Sequence, residues 1–151
     1  MRVYISSDHG GFSLKGLLLE YLSSLGYDMV DLGPKELDPN DDYPKYVVPL
    51  AQKIIEDQSS FGVVICRNGV GVSITANRFK GIRCALSFNP KHAASSRNDD
   101  NSNVLALPAD YISDKEAKEI VKTWLETSFN NKEERFVRRI DQVDNLRTQD
   151  E

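Results

Sequence analysis

Phe61-Gly-Val-Val-Ile-Cys66-Arg-Asn-Gly-Val-Gly71-Val-Ser-Ile-Thr-Ala-Asn77 is the stretch that decides the fold. It opens on a short apolar run, Val63 to Ile65, rich in β-branched residues, which reads as a strand buried on both faces. Asn68-Gly69 then turns the chain, a second glycine follows at Gly71, and Val72, Ala76 and Phe79 recur at helical spacing. Cys66 ends the strand and the glycines stand at the mouth of the helix, on the edge where open parallel sheets bind ligands. Backbone N–H groups at such a helix start favour an anion, and the same field favours a thiolate. Cys66 is therefore a candidate base or nucleophile, against the plainer reading of a packed strand-end cysteine. The glycine spacing is neither that of a phosphate-binding P-loop nor that of a dinucleotide fingerprint.

The flanking chain repeats the alternation. Arg2–Ser7 reads as a strand and Asp8-His9-Gly10-Gly11 as a turn. Phe12–Leu25 reads as a helix with a broad leucine-rich face, closed by Gly26. Tyr27–Leu32 is a second strand, and residues 33–43 form an exposed acidic loop. Pro44 can open a helix running to about Asp57, while Pro49 could delay its start to near Tyr46 or kink it. A strand over Ile82–Phe88, a short helix over Pro90–Arg97 and a strand over Asn103–Leu107 come next. Ser113 and Glu116 form a capping box for a helix over Asp114–Thr127. The last helix runs from Lys132 to about Leu146, followed by a polar, frayed tail at 147–151. Strands alternating with helices predict an α/β fold: a three-layer α/β/α sandwich around a five-stranded parallel sheet, doubly wound and Rossmann-like, in one domain over residues 1–151. The last helix carries more charge than packing on its own sheet needs, so its sides are expected to face a second subunit.

The chain of 151 residues carries a net charge of −4, which argues against a nucleic-acid surface. Its two cysteines, Cys66 and Cys84, fall in or at the end of strands without a Cys-x-x-Cys, which fits a reducing compartment. Two histidines do not make a typical zinc site without carboxylate help. No apolar run is long enough for a membrane span, and the N-terminus enters a strand directly, so no signal peptide and a cytoplasmic location are expected.

Other residues could join Cys66. Asp8 and His9 follow the first strand at the same sheet edge, so His9 could share a cleft with Cys66. Arg135 and Arg139, at i and i+4, could grip a phosphate or carboxylate, or simply form a solvated face. Asp99-Asp100 could do acid/base work or solvate a loop. Asp41-Asp42-Tyr43-Pro44 reads equally as turn chemistry.

Taken in order, Ser7-Asp8-His9-Gly10-Gly11-Phe12, Asp42-Tyr43-Pro44, Ile65-Cys66 with Gly69-Val70-Gly71, Ala76 to Arg83, Ser96-Arg97, Asn103-Val104-Leu105-Ala106 and Arg135 with Arg139 resemble one family over nearly the whole chain. It is that of the type-B ribose-5-phosphate isomerases and their galactose-6-phosphate isomerase relatives. The resemblance implies a homodimer with sites at the interface, dimers possibly pairing further. It implies aldose–ketose isomerisation of a sugar phosphate through an enediolate, with no metal or organic cofactor. Cys66 maps onto the base, and the backbone from Asn68 through Gly69, Val70 and Gly71 onto the oxyanion site. His9, Arg135 and Arg139 map onto the phosphate grip, and Asp8, Asp42 and Tyr43 onto the sugar lining. The chain departs from the pattern in three places. Arg67-Asn68 stands for the usual Gly-Thr, and Asn68 is left to donate the hydrogen bond. Asp99-Asp100 stands for His-Asn, so Asp99 takes the acid/base position and Asp100 lines the sugar. Asp110 stands near an arginine position. These changes predict an ion pair from Arg67 to Asp99, Asp100 or Asp110, in a cleft re-cut for a sugar other than ribose 5-phosphate. A homologue that only binds a sugar or sugar phosphate is the rival reading, and a nucleotide-binding module of similar layering is a weaker one.

Overall fold

A computed structural model describes residues 1–146; the tail expected to fray, 147–151, lies outside the described residues. Five strands, β1 (Arg2–Ser7), β2 (Asp28–Asp31), β3 (Phe61–Cys66), β4 (Cys84–Leu86) and β5 (Val104–Pro108), form one parallel sheet in the order β2-β1-β3-β5-β4. Six α-helices connect and flank them: α1 (Phe12–Ser24), α2 (Pro44–Glu56), α3 (Val70–Ala76), α4 (Pro90–Asp100), α5 (Asp114–Glu126) and α6 (Glu134–Asp144). The chain leaves β1 for β2 on one side and then returns to β3 on the other. That reversal opens a crevice beyond the carboxyl ends of β1 and β3, where such sheets bind ligands.

The apolar run of β3 is buried on both faces, as its composition predicts. Val63 and Ile65 join Val3, Ile5, Leu18, Leu22, Leu105, Leu107, Ile120 and Trp124 in one core. Val64 and Cys66 alternate onto the other face, with Tyr4, Val47, Leu50, Ile54, Val72 and Ala106. The sheet register sets Ser7 beside Ile65 and Cys66 beside Pro108, which aligns the residues that follow at one edge. A buried ion pair ties the loop after β2 to α1: Lys15 Nζ lies 2.7 Å from Asp31 and donates to the Pro34 carbonyl.

Several boundaries differ from the expectation. Strand β4 spans three residues rather than Ile82–Phe88. The Asn77 side chain meets both backbone groups of Cys84 just where the strand begins. Helix α3 stops at Ala76, so Phe79 packs from the turn beyond it. Helix α2 starts at Pro44, as expected, and carries Pro49 inside it rather than starting later. Helix α4 continues past Arg97 to Asp100 before Asn101 ends it at φ +47°. Arg97 reaches forward to the Asn101 side chain and the Ser102 carbonyl, which extends the helix by nearly a turn. Asp99 and Asp100 therefore stand on a helix end, not in a loop at the carboxyl edge of the sheet.

Candidate active site

A cleft of about 360 Å³ lies beyond β1 and β3, lined by Asp8, His9, Tyr43, Cys66, Arg67, Asn68, Val70, Gly71 and Ile74. Cys66 is 4% exposed, its side chain in the core and its sulfur at the cleft wall. The Cys66 thiol donates to Asn68 Oδ1 at 3.7 Å, and the same oxygen accepts from the Val70 N–H at 3.0 Å. Gly69 makes the turn between them at φ +71°, a backbone that side-chain-bearing residues rarely adopt. Gly71 is required for space: a Cβ there would lie 2.5 Å from Cζ of Tyr43, whose ring packs on the first turn of α3. Tyr43 is thus held over the glycine turn, opposite the thiol's acceptor.

On the other wall, Asp8 caps the short 3-10 turn His9–Gly11 by accepting from the Gly10 and Gly11 N–H groups. His9 is gripped by Asp41, whose Oδ1 accepts from the His9 backbone N–H at 2.9 Å and pairs with ring Nδ1 at 2.7 Å. That hydrogen bond raises the His9 pKa above its ordinary 6.5; burial opposes it, and the charges of Asp8 and Asp41 add to it. Asp8, His9 and Asp41 are the one group of metal-capable side chains among the described residues, with donor atoms within 4.8 Å of one another. Oδ1 of each carboxylate already holds two hydrogens, so the group is a hydrogen-bonded cluster rather than a metal centre.

The expected ion pair forms with one of its three candidate partners. Arg67 lies 3.4 Å from Asp110, both side chains about half exposed or more (64% and 46%). Such a pair is worth little to stability, so its place is at the rim of the cleft. Asp99 instead accepts from Ser95 and Asn98 on its own helix. Asp42 is exposed and does not line the cleft; the carboxylate beside His9 is that of Asp41.

Residues 3–143 match the sequence profile of the family described as Ribose/Galactose Isomerase. A protein of Mycoplasma pneumoniae named "probable ribose-5-phosphate isomerase B" is 43% identical over 127 residues, 84% of each chain. The crystal structure of ribose-5-phosphate isomerase B from Mycoplasma genitalium with bound ribulose 5-phosphate superposes with a TM-score of 0.91 at 39% identity, covering 95% of this chain and 93% of that one. The Thermotoga maritima ribose 5-phosphate isomerase structure gives 0.91 at 37% identity, covering 96% and 98%. The chain belongs to the ribose/galactose isomerase family. Its enzyme class is accordingly that of the aldose–ketose isomerases.

Within this chain, the cations mapped onto the phosphate grip do not line the cleft that holds His9. Arg139 lines a second cavity, of about 520 Å³, with His92, Asp100, Ile140 and Val143; Arg135 lines neither. Helix α6 has no buried residue and packs on α4 at the far edge of the sheet. His92 is exposed and stacks on Phe88 with ring centroids 5.2 Å apart. Asp41 is the residue the sequence reading missed. Nothing in its spacing marks it, because it meets His9 across 32 residues of chain. No helix among the described residues is long and apolar enough to cross a membrane.

Proposed function

We propose that the chain interconverts ribose 5-phosphate and its ketose isomer, with Cys66 as the base. In the open-chain aldose, the Cys66 thiolate takes the proton from C2 and the carbonyl oxygen at C1 takes up negative charge. The proton on O2 passes to O1, and the Cys66 thiol returns its proton to C1 as the C2 carbonyl of the ketose forms. The N–H groups of Gly69 and Gly71, at the helix start beside Cys66, serve the developing oxyanion, while the Val70 N–H is held by Asn68 Oδ1. His9 takes the phosphate end. Arg135 and Arg139 complete the phosphate grip from a second copy of the chain, so the working form is a homodimer.

The observation that carries the reading is the position of Cys66. Its sulfur stands at a cleft wall, beside a helix start and across from a histidine paired to a carboxylate. The relatives' names supply the five-carbon substrate. The Arg67–Asp110 pair at the rim is the reason to test longer sugars beside it.

The experiment is turnover in deuterated water with ribose 5-phosphate and six-carbon aldose phosphates. Ketose formation with deuterium gained at C1 or C2 of the pentose is the expected result. Turnover confined to a six-carbon phosphate would reassign the substrate. Binding of a sugar phosphate with no exchange into any of them would leave a sugar-binding homologue instead.

A further inference from the structure

Asp41 carries more of the cleft than its place in an acidic loop suggests. Its side chain is 1% exposed, against 27% for the His9 ring it faces. Its Oδ1 holds two hydrogens from one residue, the backbone N–H and ring Nδ1 of His9. Its Oδ2 is buried and has no hydrogen-bond partner among the described residues. A carboxylate serving only a turn would stay in water, because burying it with an open oxygen is costly. A charge-assisted bond to an imidazolium is what offsets that cost. The double grip also fixes ring and backbone together, so the ring cannot rotate without giving up its shortest bond.

We propose that Asp41 is the positioning residue of this cleft: it occupies Nδ1 of His9 and thereby presents Nε2–H, the remaining ring donor, to the phosphate end of the substrate. The inference rests on the phosphate role given to His9 above. His9 Nε2 has no partner among the described residues, and the ring lines the cleft. The charges around the ring come from several elements. Asp8 follows β1, Arg67 follows β3 and opposes protonation, and Asp41 lies in the loop before α2. Tyr46 on α2 faces the same carboxylate; burial first, then the Asp41 charge and the approach of its hydroxyl to that carboxylate, push its phenol up, although no hydrogen bond of ordinary length joins them. Tyr43 and Cys66 complete the cleft.

The sign follows from the raised His9 value. The imidazolium is fully present below its ordinary 6.5 and is lost as pH rises through the higher folded value. Asp41→Asn keeps the shape and an acceptor for Nδ1–H but removes the charge. The phosphate contact should then fade at lower pH.

The test uses the intact chain and its two histidines, His9 and His92, which ¹⁵N spectra resolve without ambiguity once His92→Gln assigns them. In the unsubstituted protein His9 should carry its neutral-form proton on Nδ1, and inorganic phosphate should shift Nε2. In Asp41→Asn the His9 midpoint should fall, because the hydrogen bond that raises it loses its charge. At pH 8 the KM for ribose 5-phosphate should rise severalfold with kcat within about twofold, and at pH 6 both should stay within about twofold, since the imidazolium persists at the lower pH. An unchanged midpoint, or a fall in kcat with KM unchanged, overturns the proposal. Should the variant not fold, the unsubstituted protein decides alone: a neutral-form proton on Nε2, or no response of Nε2 to inorganic phosphate, overturns it. Absent turnover with both spectral results intact would sink the isomerase reading and still support Asp41 in this role.

Discussion

Replacing Cys66 by serine tests the chemistry most directly, because the structure separates its effect on rate from its effect on stability. The residue is nearly enclosed among Tyr4, Val64, Val72 and Ala106, so the site tolerates little change of volume. Serine is nearly isosteric and finds a ready acceptor, since Asn68 Oδ1 already receives the thiol proton. A buried hydroxyl with no partner would cost about 1–3 kcal/mol; with Asn68 as acceptor the loss should be about 1 kcal/mol or less. The chemical loss is much larger, because a hydroxyl does not ionise near neutral pH. Removing a general base costs roughly 10²- to 10⁴-fold, or about 3–5 kcal/mol of barrier at 1.36 kcal/mol per tenfold.

Three measurements check this: kcat, deuterium wash-in to the substrate, and the melting midpoint. Turnover and wash-in should fall together by at least about a hundredfold while the melt barely moves. Cys84 is the internal control. It is only half-buried by position, yet desolvation pushes its thiol up to about 12, with a Ser73 contact opposing. Cys84→Ser should leave turnover unchanged, and iodoacetamide near pH 8 should label Cys66 first. A Cys66→Ser enzyme within about tenfold of the original rate, well short of the loss expected for a base, would refute the assignment. So would a rate loss that merely tracks a collapse in stability.

Two further substitutions probe the scaffold of the cleft. Gly71→Ala would put a methyl 2.5 Å from the Tyr43 ring, and overpacking of this kind costs about 1–3 kcal/mol; truncating Tyr43 to Ala in the same chain should recover most of that loss in a melt, and equal destabilisation in both would show the clash is not the cause. Lys15→Met removes the more buried of two lysine partners of Asp31 and leaves Lys35 at 3.2 Å, so the loss near neutral pH should be about 1–3 kcal/mol. Burial alone would raise the Asp31 carboxyl, but Lys15, the Gly33 N–H and Lys35 outweigh it and hold the value below the ordinary 3.8. Its stabilisation is therefore complete above 3.8 and lost as pH falls through the lower folded value. The variant lacks the largest of the lowering causes, so the stability gap from the original chain should narrow below about pH 4 in denaturant titrations; a gap that is flat with pH would show that the pair does not titrate as described.

Strand β3 and its glycine turn were legible because each rests on local physics. Val63 to Ile65 has the composition of a doubly buried strand, and Gly69 occupies a backbone region that other residues avoid. Helix ends were less so, since tertiary partners set them. Arg97 draws α4 on to Asp100 through groups that follow the helix, and no propensity rule sees that bond. The pairing of His9 was illegible for the same reason. Four consecutive residues, Asp41 to Pro44, all suit a turn, and only the approach of two loops at the sheet edge decides which carboxylate meets the imidazole. The motif match favoured Asp42; the folded chain turns Asp42 to solvent and Asp41 inward.

The charges in one subunit's cleft also bear on how many subunits a working site needs. A sugar phosphate brings close to two negative charges. It would meet the His9 imidazolium, but also the carboxylates of Asp8 and Asp41, while Arg67 is already engaged by Asp110. One subunit thus offers a base but a poor net field for its substrate. The missing cations, Arg135 and Arg139, stand exposed on α6 at the opposite flank. Apolar Val70 and Ile74 beside the cleft, and Val143 on α6, are likewise uncovered. The homodimer proposed above would meet both needs if it set one copy's α6 against the other's cleft. The consequence is measurable by mixing two inactive proteins, Cys66→Ser and Arg139→Ala. If the arginine acts across the interface, each mixed dimer has one cleft with both lesions and one with neither. Random re-association makes about half the dimers mixed, so about a quarter of the original activity should return. If the arginine serves its own subunit's cleft, every cleft in the mixture carries a lesion and mixing restores nothing.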